Sequence, residues 1–312
     1  MKEFTRDEEP LGPGSEAGER PLYVFFGHHK CATGWIDSIL RETCFHLGWR
    51  FRIVHRPLDF ARYGSLRGFV KRHRPDMLAY TNANLRYVRG LPPFRGFHVV
   101  RDPRDVVVSA YFSHLYSHPT DNWPELAAHR RRLQAVSKEE GLMMELAFSR
   151  QFLEDMATWD YEQPNVLELK LEDISVRPEA MFWQIYSFLG LIDPAEPDLV
   201  ARVRMQLNVL NQRGRRFTPF HMPLSPFRFP MERLPAPYVE RIVQRKSFKR
   251  LAGGRKPGEE NVRSHYRKGQ PGDWRNHFGP EHIAYFREHY QGLLEKLGYE
   301  TDDAWAEELL SS

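Results

Sequence analysis

Only two cysteines, Cys31 and Cys44, occur in 312 residues. That excludes a disulfide framework and points to a reducing, cytoplasmic setting. No stretch approaches the roughly 18 to 20 apolar residues that a bilayer span needs, so no membrane span is expected. Charge of one sign is missing too. Lys and Arg number 45 against 41 Asp and Glu, a net of +4. So small an excess gives no reason to expect a nucleic acid as partner. The chain has no internal repeat, and no Gly-x4-Gly-Lys-Ser/Thr phosphate loop. Residues 1–20 are acidic, rich in Gly and Pro, and without an apolar h-region. They read as a disordered leader, not a signal peptide.

What is present looks like one domain over residues 21–312. Hydrophobic residues make up 41% and charged residues 28%, as in ordinary globular proteins. Leu22–Phe26 is a short apolar run ending in Gly27, which predicts a buried strand. Trp35–Leu47 follows with apolar residues at helical spacing, closed by Gly48. Further strands are expected at Phe51–Val54, Met77–Tyr80, Gly96–Val100 and Val166–Leu169. Helices are expected over Arg104–Leu115, Gly141–Trp159, Pro178–Leu189, Pro237–Leu251 and Pro280–Leu297. Such alternation predicts an α/β fold with a doubly wound, mostly parallel central sheet flanked by helices. Ligands of these sheets bind beyond the carboxyl ends of the strands, where Gly27 and Arg101 fall.

Three segments carry phosphate chemistry. Gly27–Trp35, between a strand and a helix, aims backbone amides and a helix dipole at one point, with Lys30 and Thr33 adding a charge and a hydroxyl. Alone it reads equally well as an ordinary turn with a solvated lysine. Arg101 ends a strand, Pro103 opens a helix, and Ser109 stands eight residues after Arg101, about two turns on. An arginine fork and a hydroxyl so placed suit one phosphate, although Asp102 as a cap and an Arg101 ion pair explain the same residues. Arg263–Trp274 brings Arg267 and Lys268 together in a Gly-rich loop suited to closing over an anion.

In this order the segments resemble the sulfotransferases that use 3′-phosphoadenosine 5′-phosphosulfate (PAPS), the cytosolic type most closely. Lys30, Thr33 and Trp35 fall in register with the family's Lys-x-Gly-Thr-Thr-Trp. Arg101 and Ser109 keep its Arg-to-Ser spacing, and Arg267–Trp274 reproduces Arg-Lys-Gly-x-x-Gly-Asp-Trp. Ser247-Phe248 is similar to the segment whose phenylalanine stacks on adenine. The resemblance spans Tyr23 to Leu297 and implies a P-loop-like single domain. It implies that Lys30 meets the phosphosulfate, and that His29 touches the donor. Ala32, Thr33, Gly34 and Trp35 would hold the 5′-phosphate by their amides and the Thr33 hydroxyl. Arg101, Ser109, Arg267, Lys268 and Gly269 would hold the 3′-phosphate, with Trp35 and Phe248 flanking the adenine. Adenosine 3′,5′-bisphosphate would leave as product, and no metal would be needed.

The sequence also departs from the pattern. Ala32 replaces the motif glycine, a change that an alanine is expected to tolerate, and Gly34 replaces its second threonine. Where cytosolic members carry a catalytic histidine, Tyr80-Thr81-Asn82 places an asparagine, which takes no proton at neutral pH. His55 is the favoured replacement, with Asp59 beside it. His114 is expected to face the acceptor pocket. Cys31 is read as a bystander, although loop amides and Lys30 are expected to lower its pKa. Tyr111, Phe112, Tyr116, Trp123, Phe217, Phe220, Phe227 and Phe229 are pocket or core, with Phe217 to Phe229 the best fit for pocket or lid. A small-molecule acceptor fits best, its identity and the oligomeric state being unreadable. The alternatives are a non-catalytic nucleotide-binding protein of the same fold and a P-loop-type phosphoryl transferase.

Overall fold

The computed structural model describes residues 20–193, 195–214 and 230–310. Most of the leader and the aromatics from Phe217 to Phe229 lie outside them. The chain begins with β1 (Leu22–Gly27), α1 (Thr33–Leu47) and β2 (Phe51–Val54), then α2 (Leu66–His73), β3 (Met77–Tyr80), α3 (Leu85–Val88) and β4 (Phe94–Val100). Next come α4 (Pro103–Phe112), α5 (Pro124–Leu133), α6 (Lys138–Phe148), α7 (Arg150–Ala157) and β5 (Val166–Lys170). The rest is α8 (Leu171–Val176), α9 (Pro178–Phe188), β6 (Ile192–Asp193), α10 (Leu199–Gly214), β7 (Leu234–Pro235), α11 (Ala236–Arg245), α12 (Phe248–Leu251), α13 (Pro280–Lys296) and α14 (Ala304–Leu310).

The main sheet has five strands in the order β2-β3-β1-β4-β5, and all of its pairings are parallel. β6 and β7 make a separate two-residue parallel pair. The apolar run of β1 is explained by burial on both faces. Phe25 joins a core with Ile36, Ile39, Phe182 and Ile242, whereas Val24 and Phe26 enter a second core with Leu78, Tyr80 and Trp159. A third core unites α4 with α6, α7 and α13 through Val106, Leu146, Leu153 and Phe286. With β1 central, its carboxyl end opens onto the middle of the sheet's edge, and β4 delivers Arg101 next to it.

Three expected helices are divided. The expected Gly141–Trp159 helix begins earlier and breaks at Ser149, whose hydroxyl donates back to Glu145 at 2.6 Å. Pro237–Leu251 becomes α11 and α12, separated by Lys246 and the α12 cap Ser247. Arg104–Leu115 becomes α4 followed by a π-helical turn over Ser113–Ser117. That turn shifts the spacing of His114 and His118 on the helix surface.

Candidate active site

The loop after β1 is short and strained. Lys30 and Ala32 both take left-handed backbone, with φ of 64° and 54°. The tolerance expected of Ala32 is therefore overturned, because a Cβ crowds this conformation and a glycine suits it better. Ala32 is the N-cap of α1 and offers no side-chain hydrogen bond. The first amides of a 15-residue helix are thus left without a capping side chain beside Lys30. The Lys30 ammonium is pushed down to about 8 by burial, then by Arg101 and Arg267, with Glu145 opposing. Cys31 is fully buried, and that burial pushes its thiol up to about 12, opposite to the lowering expected. It packs with Val106 and Trp274 as a small apolar group.

Arg101 leaves β4 and donates to the Lys30 carbonyl at 3.3 Å, so the first two segments touch. Asp102 caps α4 by accepting from the Arg104 amide at 2.9 Å. The late motif docks on the same helix. Buried Asp105 accepts from the Gly272 amide at 2.7 Å and the Trp274 amide at 2.9 Å. The Arg104 guanidinium lies 4.0 Å from the Trp274 ring centroid. Within the motif, Arg267 and Lys268 both pair with Asp273 at 2.5 Å. Burial opposes ionisation of Asp273, but hydrogen bonds from His277, Lys268, Asn276 and Arg267 hold it far below the usual carboxylate range. Arg255 donates to the carbonyls of Arg267 at 2.7 Å and Tyr266 at 2.6 Å, which shapes the loop from behind.

Two aromatic rings stand over this floor. The Trp35 indole donates to the Lys246 carbonyl at 2.8 Å. Phe248 lies flat against Gly269, where φ is +64° and an added Cβ would fall 2.5 Å from the ring. On the far wall the His55 ring Nδ1 is 2.7 Å from the Thr81 hydroxyl. Asn82 donates to the His55 carbonyl at 2.8 Å. Asp59 accepts from the His55 amide at 2.6 Å and the Arg56 amide at 3.2 Å, so its carboxylate caps a turn.

The phosphate-suited side chains, the two rings and the His55 wall border one cavity of about 1320 Å³. Its wall includes His29, Lys30, Ala32, Thr33, Gly34, Trp35, His55, Arg101, Ser109, Phe248, Arg267, Lys268 and Gly269. Trp123 lines it as well, but Tyr111 and Phe112 are buried in the core and Tyr116 is exposed. His114 does not face the pocket as expected; it is fully buried behind His29.

The sequence reading passed over Arg104, Asp105, Glu145 and Arg255. Asp105, four residues after Arg101, is the closest to a local signal. Arg255 acts on Tyr266 and Arg267, Glu145 on His114 and His129, and Arg104 on Trp274, pairings that no spacing motif marks.

Residues 230–299 match the family model described as the sulfotransferase domain. Mouse sulfotransferase SULT7A1 complexed with PAP is similar at 14% identity, over 93% of this chain and 89% of that one, with a TM-score of 0.45. Retinol dehydratase in complex with androsterone and inactive cofactor PAP is similar at 14% identity, over 89% and 82% of the two chains, with a TM-score of 0.44. The same enzyme in complex with retinol and PAP gives 16% identity, 89% and 82%, and 0.43. No protein with a curated description matches the chain. The matched stretch contains Arg267–Trp274, so the likeness to the sulfotransferase domain lies in residues 230–299.

Proposed function

We propose that this chain takes PAPS as donor and moves its sulfuryl group to a hydroxyl or amine of a small-molecule acceptor, releasing adenosine 3′,5′-bisphosphate. One observation carries the reading. Cationic segments from three distant parts of the sequence, with two aromatic rings, converge on a single cavity. The residues fit the donor's parts. The uncapped start of α1, the Thr33 hydroxyl and Lys30 suit the 5′-phosphosulfate. Arg101, Ser109, Arg267, Lys268 and the Gly269 amide suit the 3′-phosphate, and Trp35 and Phe248 suit the adenine. His29 lines the same cavity, its ring against Phe152 and Trp123.

In this reading Lys30 meets the charge that grows on the bridging oxygen as the S–O bond breaks. His55, at the cavity wall with one ring nitrogen on Thr81, is the sequence-nominated proton acceptor. Tyr87, Trp123 and Phe152 give the remaining wall an aromatic character that favours a compact organic acceptor over a polymer. Among the described residues no helix is long and apolar enough to cross a membrane, and both cysteines are free and buried. The free thiols fit a reducing, cytoplasmic setting.

Calorimetric titration with adenosine 3′,5′-bisphosphate and with ATP tests the donor assignment. Tighter binding of the bisphosphate is expected, and tighter binding of ATP would sink it. Transfer of ³⁵S from labelled PAPS to an acceptor panel tests turnover; donor binding without any product would favour a binding-only protein.

A further inference from the structure

Asn82 stands where a proton acceptor is expected, yet the cavity is not short of imidazoles. Two consecutive histidines each end a chain of the form carboxylate–histidine–histidine. Glu168 Oε2 is 2.6 Å from His98 Nδ1, and His98 Nε2 is 2.8 Å from His28 Nε2. Glu145 Oε1 is 3.0 Å from His114 Nδ1, and His114 Nε2 is 3.0 Å from His29 Nε2. The first chain stops inside the protein, with His28 packed near Trp159 and absent from the cavity wall. The second reaches the cavity, because His29 lines it.

Hydrogen-bond chemistry fixes the protons of the second chain. Glu145 accepts from Ser149 at 2.6 Å and lies 2.9 Å from His129 Nε2, so three donors converge on a fully buried carboxylate. Such a set favours the ionised form, and an ionised carboxylate can only accept. A neutral His114 then carries its proton on Nδ1, which leaves a lone pair on its Nε2. His29 must donate from Nε2 to that lone pair. The tautomer so imposed leaves the other nitrogen of His29, Nδ1, unprotonated, and it has no partner among the described residues.

We infer that His29 is the proton acceptor of the transfer reaction, with His114 and Glu145 as the positioning residues that set its tautomer and stabilise its cation. The inference rests on the sulfuryl-transfer reading. The acceptor O–H bond breaks, its proton goes to His29 Nδ1, and its oxygen forms the new O–S bond. The bridging S–O bond breaks with its electron pair staying on the departing phosphate, beside Lys30. The new positive charge is shared along the chain toward Glu145. Burial, then His114, Lys30, His118 and His265, push His29 well below the ordinary imidazole range. It therefore rests neutral, and its cation forms only against that cost, with the Glu145 carboxylate at the end of the chain as the opposing charge. Phe152 stacks on its ring at 4.5 Å and fixes its plane.

The test has a readout independent of turnover. Nitrogen-15 spectroscopy of the histidines in the unliganded protein, assigned with His29→Asn and His114→Asn, should find His29 protonated on Nε2 and His114 on Nδ1. Glu145→Gln should mix the two tautomers of His29. A wild-type His29 protonated on Nδ1 overturns the inference, and so do two unprotonated Nε2 atoms with a metal copurifying. In turnover, His29→Asn should lower kcat at least about a hundred-fold, as expected when a general base is removed. Glu145→Gln should lower it at least ten-fold with affinity for adenosine 3′,5′-bisphosphate kept within three-fold. His55→Asn should cost less than His29→Asn; the reverse order, or undiminished turnover in His29→Asn, overturns the relay alone. No transfer by the wild type to any acceptor overturns the underlying reading, and the inference falls with it.

Discussion

Asp105 accepts the backbone amide of Trp274 at 2.9 Å across 169 residues of chain, while also holding the amide of Gly272. A single buried carboxylate thus ties the helix that follows Arg101 to the loop that carries Arg267 and Lys268. Replacing it with alanine strands two amides away from water, each at a cost of about 1 to 3 kcal/mol. Asp105→Ala should lower the thermal midpoint by several degrees and weaken adenosine 3′,5′-bisphosphate more than ten-fold, by melting curves and calorimetry.

Lys30 titrates near 8, below an ordinary lysine, so its positive charge is lost as pH rises through that value. If the ammonium is needed by the free enzyme, kcat/KM for the donor should fall above about pH 8. Lys30→Arg should move that limb to higher pH, since a guanidinium stays charged. Lys30→Ala should cut turnover far more than it cuts affinity for the product nucleotide. A pH profile that does not respond to either change would remove Lys30 from the chemistry.

Gly269 and Phe248 form a matched pair. Gly269→Ala should push the ring aside, both because φ is +64° and because the new Cβ would overlap the ring. Affinity for adenosine 3′,5′-bisphosphate is expected to fall about ten-fold. In a Phe248→Ala background the same change should cost markedly less. Additive effects in this double-mutant cycle would mean that the two residues act separately.

Ala32 sits at φ 54° with no side-chain cap, and its carbonyl accepts the Trp35 and Ile36 amides, bonds that a glycine would keep. Ala32→Gly should raise stability by about 0.5 to 1 kcal/mol, measured by urea denaturation, as crowding of the Cβ is relieved. Loss of stability would show that the Ala32 methyl packs better than its backbone suggests.

Thiol chemistry gives an independent check on the loop. Cys31 and Cys44 are both buried, and burial raises both thiols. A disulfide exchange reagent at pH 7.5 should modify neither until the protein is denatured. Rapid labelling of Cys31 in the native state would mean that the loop opens.

How much of this was legible depended on range. Met77–Tyr80 and Phe51–Val54 were found to the residue, the first because a short apolar run betrays a buried strand. The phosphate-suited segments were legible because each packs its chemistry into a dozen residues. The break at Ser149 was not, since apolar periodicity runs through it and only the Glu145 contact explains it. The histidine chains were invisible for a related reason. His98 meets His28 because β1 and β4 pair with Phe26 opposite His98, a register no local pattern encodes. His114 meets His29 across 85 residues, with the π-helical turn beginning beside it. Asp105 gave no signal of its role, because its two amide partners lie beyond residue 270.

In the unliganded protein Arg267 and Lys268 are both engaged with Asp273, so this loop is already largely neutralised before any ligand arrives. A lone inorganic sulfate or phosphate has little to gain by entering, because it must compete with a carboxylate fixed in place. A nucleotide with two phosphates recoups that competition at the Lys30 loop, where a cation and the first amides of α1 stand together at the cavity wall. The resting ion pair therefore acts as a filter against small anions, setting a threshold that only a doubly anchored ligand passes.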